Sequence, residues 1–306
     1  MRDFKKILVT GGAGFIGSHF VDLCLSKDIS VINFDALKTG SMLKHGPSKK
    51  HKLYRFAPTD ISSPSLIIPD DVEAIVHFAA ETHVDRSVTN PFSFVSSNVV
   101  GTYNLLDKIV GKNIWFHLIS TDEVYGDVID KNEASKETDP IHSSSPYSAT
   151  KAASEQLVIA YGRTYNLNYT ITRGCNTIGA RQNEEKLLPK FIHNAKNNLP
   201  LPVYGDGKAI RQYIHVTDHA EAVLKVLLEA ESDSVWNVCA DISYSINDIV
   251  DILKEQYPNL TITDKENRPG HDLKYNIDNS KLKNILQWQP KITGKEIVLK
   301  SISELS

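Results

Sequence analysis

A doubly wound parallel α/β sheet with a smaller C-terminal lobe is the fold this sequence predicts, on three observations. Short apolar runs of strand length alternate with longer amphipathic segments through the first half of the chain, the rhythm of right-handed βαβ units around a parallel sheet. A glycine-rich turn joins the first apolar run to the first amphipathic segment, the arrangement of Rossmann-like sheets. After residue 174 the rhythm breaks into shorter pieces at Pro189, Pro200, Pro202 and Gly205-Asp206-Gly207, which predicts a second lobe.

Taken in order, residues 6–10 read as the first strand, and a helix follows Gly14. Further strands are expected at residues 31–34, 53–56, 74–78, 115–120 and 169–173, each a short apolar or β-branched run. Asn90-Pro91 reads as a helix start, with Phe94, Val95, Val99, Leu105 and Leu106 behind it. The expected division puts 1–172 and about 208–235 in the nucleotide-binding domain, and 173–207 with 236–306 in the lobe.

At 306 residues the chain can bury a full core, and a net charge of -3 makes no electrostatic case for nucleic acid or an anionic membrane. Lys49-Lys50-His51-Lys52 reads as a solvated loop. Cys24, Cys175 and Cys239 are odd in number and dispersed, so reduced thiols in a cytoplasm are expected. The start shows no signal-peptide pattern, and no apolar run has membrane-spanning length. His215 and His219 stand four apart without the glutamate of a zinc protease motif, and there is no Gly-x-Ser-x-Gly elbow. Neither a metal nor acyl transfer is expected.

The turn places Gly11, Gly14 and Gly17 around Phe15 and Ile16. Without β-carbons there, backbone can approach a pyrophosphate and a helix N-terminus can face it. Asp35 ends the second expected strand 18 residues beyond Gly17, where a carboxylate binds an adenosine ribose and repels a 2′-phosphate; NAD is therefore the expected cofactor rather than NADP. Lys38 lies near enough in sequence to weaken that charge argument. Asp60 and Ile61 are expected at the adenine edge, Phe78, Ala79 and Ala80 where backbone passes the cofactor, and Ser97 on the helix behind Asn90.

Two motifs carry the chemistry. Ser120-Thr121-Asp122-Glu123-Val124-Tyr125-Gly126 sets two carboxyl groups side by side after an apolar run, and Tyr147 precedes Lys151 by four residues. That spacing puts a phenol and an ammonium on one helix face. An adjacent cation, beside the positive nicotinamide of NAD, is expected to lower the phenol pKa toward neutrality, so that Tyr147, aided by Thr121, takes a proton from a carbinol while hydride leaves for the nicotinamide. Paired carboxyl groups in different protonation states add an elimination to the redox step.

With these motifs, His77 to Pro91, Asn176, Gln182, Glu185 to Pro189, Tyr204-Gly205-Asp206-Gly207, Arg211 and Arg268-Pro269-Gly270-His271-Asp272, the chain resembles an extended short-chain dehydrogenase/reductase. Within that superfamily it is similar to the dTDP-glucose 4,6-dehydratases. The resemblance implies internal hydride transfer through NAD from C4 to C6 of a nucleotide-diphosphate sugar. Tyr147, Thr121 and Lys151 would serve C4 oxidation, Glu123 would remove the C5 proton, and protonated Asp122 would assist loss of the C6 hydroxyl. It also implies a substrate set of Thr82, Arg86, Asn176, Glu185, Lys186, Leu187, Pro202, Tyr204, Arg211, Asn237, Arg268 and His271, and a homodimer paired through helices of the larger domain. Departures from the family pattern lie at Ala36 to Ser41, at Thr177 to Arg181 and at Tyr213. They leave UDP-glucose and UDP-N-acetylglucosamine open beside dTDP-glucose as substrates. An epimerase or a silent NAD-binding module are the rival readings.

Overall fold

The computed structural model describes residues 1–38, 50–128, 133–266 and 272–305. Its strands are β1 (Lys6–Thr10), β2 (Ser30–Asp35), β3 (Tyr54–Pro58), β4 (Ala74–His77), β5 (Trp115–Thr121), β6 (Tyr169–Gly174), β7 (Asn176–Ile178), β8 (Leu201–Tyr204), β9 (Ile210–His215), β10 (Ser234–Val238), β11 (Ser243–Ser245) and β12 (Ile262–Lys265). Its helices are α1 (Phe15–Ser26), α2 (Val84–Thr89), α3 (Pro91–Phe94), α4 (Gly101–Asp107), α5 (Pro146–Tyr165), α6 (Leu187–Lys196), α7 (Val216–Glu229), α8 (Ile246–Lys254), α9 (Ser280–Leu286) and α10 (Glu296–Leu305).

Seven strands form one parallel sheet in the order β3-β2-β1-β4-β5-β6-β10. The chain reverses direction across the sheet between β1 and β4, and such a switch point opens a crevice at the carboxyl ends of the strands. All six strands expected from the sequence are present, with ends shifted by a residue or two. β10 was not expected, because Ser-Val-Trp-Asn-Val mixes polar and apolar residues. Successive β1 residues face opposite layers: Ile7 and Val9 pack with Phe20, Val21, Ala220 and Val223, whereas Leu8 packs with Leu105, Leu106 and Val158. Burial of both faces accounts for the continuous apolar runs.

The helix expected behind Asn90 forms in three registers: α3, a π-helical stretch at Val95–Val100, then α4. Asn98 is buried in that wide turn, where its side chain accepts from Glu81 N and donates to Glu81 O and Thr150 Oγ1. Such turns recur at functional sites. α5 starts cleanly because Ser145 and Ser148 form a reciprocal capping box and Pro146 occupies the first turn.

The lobe has its own core around Phe191, Ile214, Ile249 and Ile297, with a β11-β9-β7 sheet and a β12-β8 pair. The expected domain boundaries need correction. Ile210–His215 pairs with β7 and β11 in the lobe, so the segment returning to the large domain is α7 and β10, ending at Val238.

Candidate functional site

A cleft of about 330 Å³ crosses the switch point, from Asp35 past the glycine turn to Tyr147 and the lobe residues Asn176 and Lys186. All the expected cofactor residues line it: Gly11, Gly14, Phe15, Ile16, Gly17, Asp35, Asp60, Ile61, Phe78, Ala79, Ala80, Ser97, Tyr147 and Lys151. Gly11 has a φ of +73°, and a β-carbon there would lie 2.6 Å from Ala79 N. At Gly17 it would lie 2.3 Å from Gly11 O. Gly14 caps α1 without a side chain, leaving the helix amides to face the cleft. Asp35 accepts from Ala13 N at 3.0 Å and Leu37 N at 2.8 Å, which fixes its carboxylate beside the turn. Lys38 pairs with Asp60 at 2.8 Å. This cradle and carboxylate suit a dinucleotide without a 2′-phosphate.

Thr121 ends β5 and caps the turn Asp122–Tyr125 by accepting from Glu123 N at 3.3 Å. That cap aims both carboxyl groups into the cleft. Asp122 is 2% exposed; its Oδ1 accepts from Thr121 Oγ1 at 3.3 Å, and its Oδ2 has no partner among the described residues. Burial, reinforced by Glu123, pushes its pKa up to about 7 against the pull of Arg211. One carboxyl can thus stay protonated beside another, as an acid–base pair requires.

Tyr147 and Lys151 stand one turn apart on α5, both buried. Lys151 by itself does not lower the phenol pKa. Burial and the neighbouring Glu123 and Asp122 raise it, opposed only by a hydrogen bond to Thr121. Lys151 Nζ instead donates to Ile119 O at 2.6 Å, and burial pushes its own pKa down to about 8.

The family model described as GDP-mannose 4,6 dehydratase matches residues 8–301. The chain belongs to the GDP-mannose 4,6 dehydratase family. It is 40% identical to a dTDP-glucose 4,6-dehydratase of Haemophilus influenzae, with 95% of each chain covered. It is 39% identical, over 97% of its length, to a trifunctional UDP-glucose 4,6-dehydratase/UDP-4-keto-6-deoxy-D-glucose 3,5-epimerase/UDP-4-keto-L-rhamnose-reductase of Arabidopsis thaliana, of which it spans about half (47%). The solved dTDP-glucose 4,6-dehydratase DesIV of Streptomyces venezuelae, with NAD and dTDP bound, superimposes with a TM-score of 0.92 at 34% identity, covering 98% of this chain and 96% of that one. The Rossmann-like fold, the NAD cofactor and the nucleotide-sugar 4,6-dehydratase reaction expected from the sequence are borne out.

The sequence-derived substrate set divides in the structure of this family member. Thr82, Arg86, Asn176, Glu185 and Lys186 line the cleft, where Arg86 pairs with Glu185 and Lys186 Nζ donates to Thr82 O at 3.0 Å. Five others do not line it. Leu187 packs on the lobe core, while Pro202 and Tyr204 lie on β8 paired to β12. Arg211 lies over the Tyr275 ring at 4.4 Å and donates to Ile210 O, Leu273 O and Asp272 O. The Asn237 amide accepts from Tyr125 Oη and donates to Ser135 O and Asp278 O. Arg268 and His271 lie outside the described residues, as do Thr39 to Ser41 of the departure after Asp35 and Lys49 of the basic loop.

Two further departures fall away from the cleft. Arg181 turns to α1, pairing with Asp22 at 2.6 Å, and Tyr213 is buried against Tyr244. Sequence reasoning missed Asn183 and His219 as cleft residues and saw Glu81, His83 and Gln182 only as parts of motifs. Their signal was proximity to the dehydratase motifs, which does not reveal orientation. Among the described residues no cluster is arranged to hold a metal, and no helix is long and apolar enough to cross a membrane.

Proposed function

We propose that this chain converts dTDP-glucose to its 4-keto-6-deoxy product by loss of water, with NAD retained through the cycle. The observation that carries this reading is Asp122: a buried carboxyl with a pKa near 7 and an unpartnered oxygen, adjacent to Glu123 and in the same cleft as Tyr147. NAD, when bound, supplies the acceptor for the C4 hydride and returns it to C6, and its positive ring offsets the raised phenol pKa. Tyr147 Oη takes the O4 proton while Thr121 Oγ1 hydrogen-bonds to it. Glu123 takes the C5 proton acidified by the C4 ketone and returns it to C5 as hydride reaches C6, and protonated Asp122 delivers a proton to the departing C6 hydroxyl.

The two lobes divide this labour: the seven-stranded sheet carries the cofactor and the reacting groups, and the lobe supplies Asn176 and Lys186 toward the nucleotide. UDP-glucose is the second reading, favoured by the Arabidopsis relative. Incubation with dTDP-glucose, UDP-glucose and UDP-N-acetylglucosamine separately, followed by mass spectrometry, tests both; loss of the mass of one water from none of them would overturn the dehydratase reading. Tyr147→Phe should abolish NADH formation in a single turnover. Glu123→Gln should retain some and stall elimination, and equal loss in both variants would contradict this division.

A homodimer through the larger domain is part of the proposal. Exposed Phe92, Val95, Tyr103 and Tyr165, all on helices of the larger domain, support it, and light scattering tests it. Three buried free thiols support a reducing compartment such as the cytoplasm.

A further inference from the structure

His219 and Gln182 each direct an unpartnered polar atom into the wall of the cleft, and both are anchored on Thr177. His219 is 2% exposed, with Nδ1 2.7 Å from Thr177 Oγ1 and Nε2 without a partner among the described residues. The Thr177 hydroxyl donates to Cys175 O at 3.3 Å. Its single proton is then committed, so it accepts from His219 Nδ1–H and leaves Nε2 as a bare acceptor. Burial keeps the ring neutral, with a pKa pushed down to about 4. Gln182 Nε2 donates to Thr177 O at 3.0 Å, which fixes the amide orientation and leaves Oε1 as a second acceptor without a partner among the described residues. The imidazole fits only because residue 174 is glycine, where a β-carbon would lie 2.5 Å from His219 Cε1. Gly174 pairs in the sheet with Thr121, so the ring stands one strand from the reacting groups.

Both acceptors belong to the cofactor's side of the site. His219 is on α7, which packs with α1 on one face of the sheet, whereas Tyr147 and Lys151 project from α5 on the other. The strap carrying Gln182 is tied to α1 by His19 Nε2 to Ala180 O at 3.0 Å and by Arg181 to Asp22 and Ser18. It is tied to α10 by Ala180 N donating to Glu304. Buried acceptors that lack donors are costly unless a ligand supplies them.

We propose that His219 Nε2 and Gln182 Oε1 together accept the two N–H bonds of the nicotinamide carboxamide, as positioning residues that set which ring face looks toward Tyr147. The inference rests on NAD being the cofactor. The test uses the full-length chain with equal concentrations of NAD and its 3-acetylpyridine analogue, in which a methyl group replaces the amide nitrogen. The bound ratio is read by mass spectrometry after denaturation, with ADP-ribose as a separate ligand. Wild type should favour NAD by roughly 10- to 100-fold, the loss expected when buried acceptors go unpaired. His219→Leu with Gln182→Leu should bring the ratio near one while ADP-ribose binding is unchanged, and Gln182→Leu alone, at a half-buried position, should fall between. A wild-type ratio near one, or a ratio unchanged in Gln182→Leu and the double variant, would overturn the clamp and leave the NAD reading standing. Failure of wild type to retain any of the three nucleotides would overturn the NAD reading itself.

Discussion

Replacing Asp122 with asparagine separates the stability of the site from its chemistry. The carboxyl is 2% exposed, and its pKa moves from 3.8 to about 7 on folding. The folded protein therefore holds this proton between roughly pH 4 and 7 while the unfolded chain releases it, so stability falls as pH rises through that window. At about 1.4 kcal/mol per pKa unit, the ionised carboxyl costs up to about 4 kcal/mol above about pH 7 and nothing below about pH 4. The asparagine amide is neutral throughout, so Asp122→Asn should stabilise the protein by a few kcal/mol near pH 8 and hardly at all near pH 4. On the proposed mechanism the same change removes the acid that protonates the departing hydroxyl, and water loss should fall roughly 10²- to 10⁴-fold. Urea denaturation at the two pH values reads the first effect. Single-turnover mass spectrometry reads the second, with NADH absorbance confirming that C4 oxidation survives. In wild type, water loss should fall about tenfold per pH unit above about 7 as the acid ionises. A variant no more stable at the higher pH, or wild-type water loss flat from about pH 6 to 8.5, would refute the assignment.

Other perturbations follow from the same geometry. Arg173→Leu strands Glu155, a fully buried carboxylate that Arg173 holds at 2.6 Å; it should cost about 3–5 kcal/mol in a denaturation curve, with much of the loss recovered by adding Glu155→Gln. Gly17→Ala sets a β-carbon 2.3 Å from Gly11 O, so backbone must shift; about 1–3 kcal/mol of stability and most of the retained NAD should be lost, the latter measured by absorbance after denaturation. Asp35→Ser removes the carboxylate expected to repel a 2′-phosphate, and the NAD to NADP affinity ratio should fall on the order of tenfold by calorimetry.

The local signals were strong enough to carry the large domain. The β-branched and apolar runs of β1, β2, β4, β5 and β6 are buried on both faces of the sheet, so their chemistry had little room to vary. Gly11 and Gly17 were legible because close backbone approach excludes any side chain, and the Asp122-Glu123 pair because an elimination needs two carboxyl groups. β10 was not legible, since its place beside β6 is set by pairing with a strand far away in sequence and not by its own composition.

The sequence by itself determined which groups the site contains: the glycine turn, Asp35, the two carboxyl groups and the Tyr147–Lys151 pair. Only the tertiary structure decided their state and company. Burial raised the Asp122 pKa and the Tyr147 pKa as well. Packing gave Arg211 and Asn237 hydrogen-bond partners that do not line the cleft and brought His219 and Gln182 into its wall. The physical reason is that desolvation and hydrogen-bond partners depend on segments far apart in the chain, and sequence spacing specifies neither.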